Sequence, residues 1–294
     1  MDIGSFKPSA INRAQSEEHY PGGKGVHVAL AAAEYGEQVC LLGFWGGPTG
    51  TWIKQQCTSQ GIACIGPFLE QWNRFCITMN QEGPFNETEL LGTGPDIEQK
   101  HLDECYEAYE SNLGEATIVV LCGSLPPKCP LDFYKSLIQS AHKKGIKCLI
   151  DTTGEALIQA LDARPMGVHL NEHESQQVTG TSEIGRVIDR LATQTNLQII
   201  TQGAKGLYLG TSDEIMHANI KLKHAESTVG SGDCLMAGVA IAITKGYDNR
   251  EIAKLGVAFG AANCLRKELG MLYKKDIDLL FPQVRVSKPA ENYG

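Results

Sequence analysis

The chain has 294 residues, 42% of them hydrophobic and 20% charged, with a net charge of −8. That length carries one large α/β domain or two smaller ones, with ample core. The acidic balance argues against nucleic acid or an anionic membrane as partner, since both want basic patches. No run of 18 apolar residues points to a membrane span, and the first residues hold no apolar signal core. Ten cysteines lie scattered through apolar segments with no Cys-x-x-Cys pair. They are expected to be buried free thiols of a cytoplasmic protein.

Residues 1 to about 20 are polar and mixed, and fit a small β element outside the main fold. Next comes "HYPGGKGVHVALAAAEYG", where Gly22, Gly23 and Gly25 surround Lys24 ahead of a helix of small residues. Its spacing is too short for a Walker A loop. A loop–helix junction with a solvated lysine and an anion site are both open there. "QVCLLGFWG" predicts an apolar strand. Residues 68–93 break into short alternating stretches and join residues 1–20 as the expected β lid.

From there strands and helices alternate. "ATIVVLCGSLPP" predicts a strand ending in a Gly-Ser loop, and "PLDFYKSLIQSAHKKG" a helix. "IKCLIDTTGEAL" predicts a strand that stops at Asp151 and enters a helix, and "GVHLNEHESQQV" repeats this at Asn171. "LQIITQGAKGLYLG" predicts a strand, a glycine turn and a second strand. Continuous apolar strands with helices between them indicate an α/β fold, a mainly parallel sheet covered on both faces.

Asn171 and Glu174 are three residues apart on a starting helix, a spacing that suits the water-rich shell of Mg²⁺. His169 and His173 lack the third ligand that zinc needs, and are expected to be exposed. "ESTVGSGDCLMAGVAIAI" places Gly230, Ser231 and Gly232 before a buried helix expected to begin near Asp233. It reads as a phosphate cradle or as a capped helix in a glycine turn. "REIAKLGVAFGAANCLRKE" predicts a further helix, and the tail "RVSKPAENYG" is expected to be disordered. A Rossmann dehydrogenase would need Gly-x-Gly-x-x-Gly after the first strand, and that set is absent.

Taken in order, Gly-Gly-Lys-Gly, "GSLPP", "LIDTTGEAL", Asn-x-x-Glu, "QGAKG" and "STVGSGD" make the chain resemble the PfkB/ribokinase family of carbohydrate kinases. The hexose-phosphate branch of 1-phosphofructokinases and tagatose-6-phosphate kinases is the most similar. The resemblance runs from about Gly4 to Leu269. It implies a ribokinase-like three-layer α/β/α sandwich with a small β lid that often forms a homodimer. It implies ATP and Mg²⁺, and a sugar or sugar phosphate as substrate. Asp233 resembles the catalytic base, and Gly230, Ser231 and Gly232 the anion hole. Asn171 and Glu174 resemble the Mg²⁺ motif. Thr201, Gly203, Gly206, Gly232 and Asn263 match nucleotide positions. Gly22, Gly23, Lys24, His27, Arg74, Ser124 and Asp233 match the substrate side.

Four departures stand out. The family's first strand, ending in Asn-Pro-Ala-x-Asp, has no counterpart, so either a truncated start or a different hold on the sugar is expected. His27 stands where the family has Asn, and His169-Leu170 where it has Lys-Pro. In the lid, Cys76 and Thr78 replace two polar substrate-side groups. A sugar-phosphate kinase is the expectation. A kinase of a free ketohexose and a weakly catalytic sugar- or nucleotide-binding protein are the alternatives.

Overall fold

The computed structural model describes residues 1–4, 6–81 and 87–289. Its strands are β1 (Asp2–Gly4), β2 (Cys40–Leu42), β3 (Trp45–Gly46), β4 (Ala63–Ile65), β5 (Phe68–Leu69), β6 (Cys76–Gln81), β7 (Thr88–Leu91), β8 (Ile118–Cys122), β9 (Lys147–Asp151), β10 (Gly167–Asn171), β11 (Leu197–Thr201), β12 (Leu207–Gly210), β13 (Ile215–Asn219) and β14 (Arg285–Ser287). The helices are α1 (Lys24–Tyr35), α2 (Gly47–Ser59), α3 (Gln99–Leu113), α4 (Phe133–Lys143), α5 (Gly154–Asp162), α6 (Glu172–Thr179), α7 (Ile184–Leu191), α8 (Ser231–Thr244), α9 (Asn249–Cys264) and α10 (Lys274–Leu280).

The main sheet runs β14-β13-β12-β11-β10-β9-β8. β8 to β11 are parallel to one another, and β12 to β14 extend the sheet antiparallel. In the parallel half, β9, β10 and β11 are buried on both faces, whereas β8 is half-buried over Ile118–Val120. In β9, Leu149 points into one core while Cys148 and Ile150 point into the other. In β11, Ile199 and Ile200 divide in the same way. One core lies under α8 and α9, the other under α3, α4, α5 and α7. The expected α/β/α layering is the one observed.

The helices form for the reasons their sequences carry. In α7, Ile184, Val187, Ile188 and Leu191 recur at helical spacing, and all four are buried. α8 is buried from Asp233 to Ile243. Its Gly238 meets Leu255 and Phe259, and Gly256 of α9 meets Val239 and Leu235, so these glycines let the two helices close on each other. Each fully buried aliphatic side chain there contributes about 1.5–3 kcal/mol.

A separate three-stranded sheet, β1-β6-β7, stands apart from the main one. It joins the two regions expected to form the lid. Ser5 and residues 82–86 of those regions lie outside the described residues. Phe68–Leu69 pairs with β3 instead. Glu87 ties the lid to the body: it accepts hydrogen bonds from the Ser227 hydroxyl at 2.9 Å, and from the backbone and hydroxyl of Thr228 at 2.9 and 2.8 Å. These bonds hold its carboxyl below the usual range, against the opposing push of partial burial.

Two smaller expectations are corrected. The tail is not all disordered, because Arg285–Ser287 adds an edge strand beside β13; residues 290–294 lie outside the described residues. The cysteines are free, but Cys40 and Cys76 are exposed, since each lies on a strand at the margin of the fold. Among the described residues, no helix is long and apolar enough to cross a membrane.

Candidate active site

The C-terminal ends of β9, β10 and β11 open beside the N-termini of α1, α6 and α8. Such crevices outside parallel strand ends are the usual ligand sites of α/β sheets. α8 begins at Ser231, two residues earlier than the sequence reading had it. Gly230 is its N-cap in a left-handed conformation, φ 85°, and no side chain caps the helix. Asp233 is thereby the third residue of the first turn, next to unpaired backbone N–H groups that favour negative charge. A Cβ on Gly230 would run into the backbone of Gly270, and one on Gly232 would lie 3.2 Å from His169. Only glycine lets this turn sit so close.

α1 faces α8 across the site. Lys24 is its first residue, behind Gly23 at φ 113°. The Lys24 ammonium donates to Asp151 Oδ1 at 2.5 Å and lies 4.0 Å from Glu174 Oε1. His27, one turn on, donates from Nδ1 to Asp233 Oδ2 at 2.7 Å, and both side chains are buried. His27 was expected on the sugar side. It is turned inward because the bulky ring fills the space between Gly230 and Gly270.

Asp151 was quoted at the sequence level only as the end of a strand, and no role was given to it. It is fully buried between Lys24 and His169, whose Nδ1–H donates to Asp151 Oδ2 at 3.0 Å. Burial pushes the Asp151 carboxyl up, but His169 and Lys24 outweigh it and hold it down at about 2. Lys24 is raised: burial disfavours its charge, and Asp151 with Glu174 more than offsets that. His169 was expected to be exposed. It is 4% exposed instead, because its other ring nitrogen accepts from the Thr201 hydroxyl at 3.1 Å and ties β9, β10 and β11 together. A carboxylate at a parallel strand end, followed by Thr-Thr-Gly, was the available signal.

Asn171 and Glu174 form a reciprocal capping box on α6. The Glu174 N–H donates to Asn171 Oδ1 at 2.9 Å, and the Asn171 N–H to Glu174 Oε2 at 2.8 Å. That leaves Glu174 Oε1 free of the box and turned toward Lys24. No cluster of three or more His, Cys, Asp or Glu able to hold a metal occurs among the described residues. Glu174 Oε1 is the carboxylate oxygen outside the box that fits a cation held mostly by water and phosphate oxygens.

A cleft of about 490 Å³ opens beside this box, lined by Asn171, His173, Gln176, Thr201, Gln202 and Gly203 among others. Gly206 sits outside that lining, at φ 100°, where a side chain would strike the Ala218 carbonyl on β13. Asn263, expected at the adenine, is instead 1% exposed and donates to the Met271 carbonyl at 2.8 Å. It lies inside because α9 is buried along this stretch. Gly22, Ser124 and Arg74 are exposed.

The family model for pfkB family carbohydrate kinases matches residues 1–274. The chain belongs to that family. It is a carbohydrate kinase with ATP as its phosphoryl donor. It is 29% identical to the 1-phosphofructokinase of Bacillus subtilis, over 98% of this chain and 95% of that protein. It is 27% identical to a tagatose-6-phosphate kinase of Staphylococcus epidermidis, over 97% and 94%. A solved structure of a possible 1-phosphofructokinase from Thermotoga maritima superposes with a TM-score of 0.88 at 21% identity, covering 99% of this chain and 95% of that one. The ribokinase-like fold expected from the motifs is the fold this kinase has.

Proposed function

We propose that the kinase phosphorylates a hydroxyl of a sugar phosphate of the fructose 1-phosphate or tagatose 6-phosphate type. The observation that carries this is the placement of Asp233 in the uncapped first turn of α8, beside Gly230–Gly232 and opposite Lys24. Phosphoryl transfer is largely dissociative, so positioning and charge stabilisation matter more than a strong base. Asp233 takes the proton of the acceptor hydroxyl as that oxygen bonds to the γ-phosphorus of ATP and the bond from the γ-phosphorus to the β–γ bridging oxygen breaks, with ADP leaving. The N–H group of Gly232 meets the charge on the transferred group, beside that of Ser231, which donates to the Thr228 carbonyl at 3.2 Å. Lys24 supplies the cation between acceptor and phosphoryl group, held in place by Asp151. Thr201 and Gly203 border the nucleotide cleft, with Gly206 shaping the turn behind it. Glu174 and Asn171 would hold Mg²⁺ through water, and the ion would supply charge neutralisation on the phosphates.

On the acceptor side, Gly22, Gly23, Arg74 and Ser124 frame the mouth, and the lid sheet closes it against water. Trp72, Phe75, Ile77, Leu90 and Leu91 are exposed apolar residues on or beside that sheet. Ile77 and Leu90 are register partners and share one face. This patch supports a homodimer through the lid. The free thiols support a reducing compartment, the cytoplasm.

A free ketohexose is the second reading, favoured by one observation. Thr78 is buried and Cys76 is uncharged, so β6 offers no cation to a sugar phosphate and only Arg74 precedes it. An ATP-consumption screen over fructose 1-phosphate, fructose 6-phosphate, tagatose 6-phosphate and free ketohexoses separates the two. Asp233→Asn is expected to abolish turnover while ATP binding persists; retained turnover would remove Asp233 from its role. No turnover on the whole panel would favour a binding protein.

A further inference from the structure

We propose that His27 is a positioning residue for Asp233: its Nδ1–H holds one carboxylate oxygen and leaves the other aimed at the acceptor hydroxyl. The proposal rests on Asp233 being the base. α1 presents Lys24 and His27 on one face, three residues apart. Each takes one carboxylate of the site, Lys24 that of Asp151 and His27 that of Asp233, at 2.5 and 2.7 Å.

The seat of the ring is built around it. Gly230 and Gly270 both have positive φ, 85° and 69°. A Cβ on Gly270 would overlap the imidazole, and one on Gly230 would stand 3.3 Å from Nδ1. His27 Nε2 is buried and has no hydrogen-bond partner among the described residues. The ring therefore has a single polar contact, through Nδ1. Because a carboxylate only accepts, Nδ1 carries the proton. Nε2 meets no acceptor among the described residues, so Nδ1 is the ring atom that anchors it. A ring with one bond, packed between two glycines, cannot turn without losing that bond. The carboxylate it holds is fixed with it. Asp233 Oδ1 is then the oxygen left for the acceptor.

The test uses the full chain, the acceptor that the screen finds, and isosteres that separate the two ring nitrogens. His27→Ala is expected to lower kcat about 10- to 100-fold with KM for ATP unchanged, the cost of a misplaced reacting group. His27→Asn is expected to recover most of that loss, because its amide nitrogen reaches the position of Nδ1. His27→Gln places its amide at Nε2, against Gly270, and is not expected to recover it. In an Asp233→Asn background, His27→Ala should add nothing further. Nitrogen NMR of the wild-type imidazole should report a proton on Nδ1, a signature that changes in Asp233→Asn and needs no acceptor. Wild-type kcat in His27→Ala would overturn the proposal. So would Gln rescuing as well as Asn, an altered sugar KM with kcat intact, or an Nδ1 without a proton. If His27→Ala does not fold, the Asn and Gln pair and the NMR signature decide. Full turnover in Asp233→Asn would instead overturn the reading of the base.

Discussion

The two halves of this kinase are built to different standards of closure. On one side, β9, β10 and β11 are buried almost without break and α8 from Asp233 onward, and the turn proposed for phosphoryl transfer sits on that block. On the other, β8 is only half-buried over Ile118–Val120, and β2 and β4 pair with each other as a separate sheet. β6 and β7 leave Ile77, Leu90 and Leu91 in solvent. A base and an anion hole must hold position within a fraction of an ångström, so they belong on the rigid block. The lid proposed here would have to open and to meet a partner, and it is drawn from the less buried segments.

The comparison can be broken at its rigid side first. Gly230→Val puts a side chain into the Gly270 backbone at a φ that disfavours it. Turnover should fall about 10²- to 10³-fold, measured as kcat, while a valine at exposed Gly114, where a Cβ meets nothing within 4 Å, should leave kcat nearly intact. Asp151→Asn strands Lys24 beside a neutral amide. Lys24 is about one-third exposed, 34% against 1% for Asp151. The expected loss is therefore about 2–3 kcal/mol, less than the 3–5 of a fully buried pair, read from denaturant unfolding. The acid limb carries the same test. The Asp151 carboxyl is held down at about 2, so its stabilisation is complete above the unfolded value near 3.9. It is lost as pH falls from there toward 2, and Asp151→Asn should lack that share of the acid loss.

On the open side the expected effects are smaller. Arg74→Ala should raise KM for a phosphorylated acceptor about tenfold and leave KM for ATP alone, since it removes a charge-assisted contact. No change with a phosphorylated acceptor would move the reading toward a free ketohexose. Leu91→Glu should shift sedimentation toward the monomer with little change in melting temperature. An unchanged oligomer would place any interface elsewhere.

Much of the rigid half was legible from residues alone. Apolar runs ending at Asp151, Asn171 and Thr201 mark parallel strands, because only strands covered on both faces can be apolar throughout. The spacing of Asn171 and Glu174 reads as a Mg²⁺ pair in the sequence, and the capping box they form is seen only in the structure. The helix start at Ser231 was missed by two residues because glycine and serine carry little helical signal. His169 was missed for another reason. Its partners, Asp151 and Thr201, lie 18 and 32 residues away in sequence and meet it only across the sheet.

The sequence by itself determined the layer architecture, the order of the elements and the glycine turns that shape the transfer site, since these follow from local periodicity and from backbone conformations few residues adopt. Only the tertiary structure decided which side chains share the site. Lys24 with Asp151 and His27 with Asp233 are pairs 127 and 206 residues apart. No local pattern encodes such a pair, because it exists only once α1 has packed between the strand ends and α8.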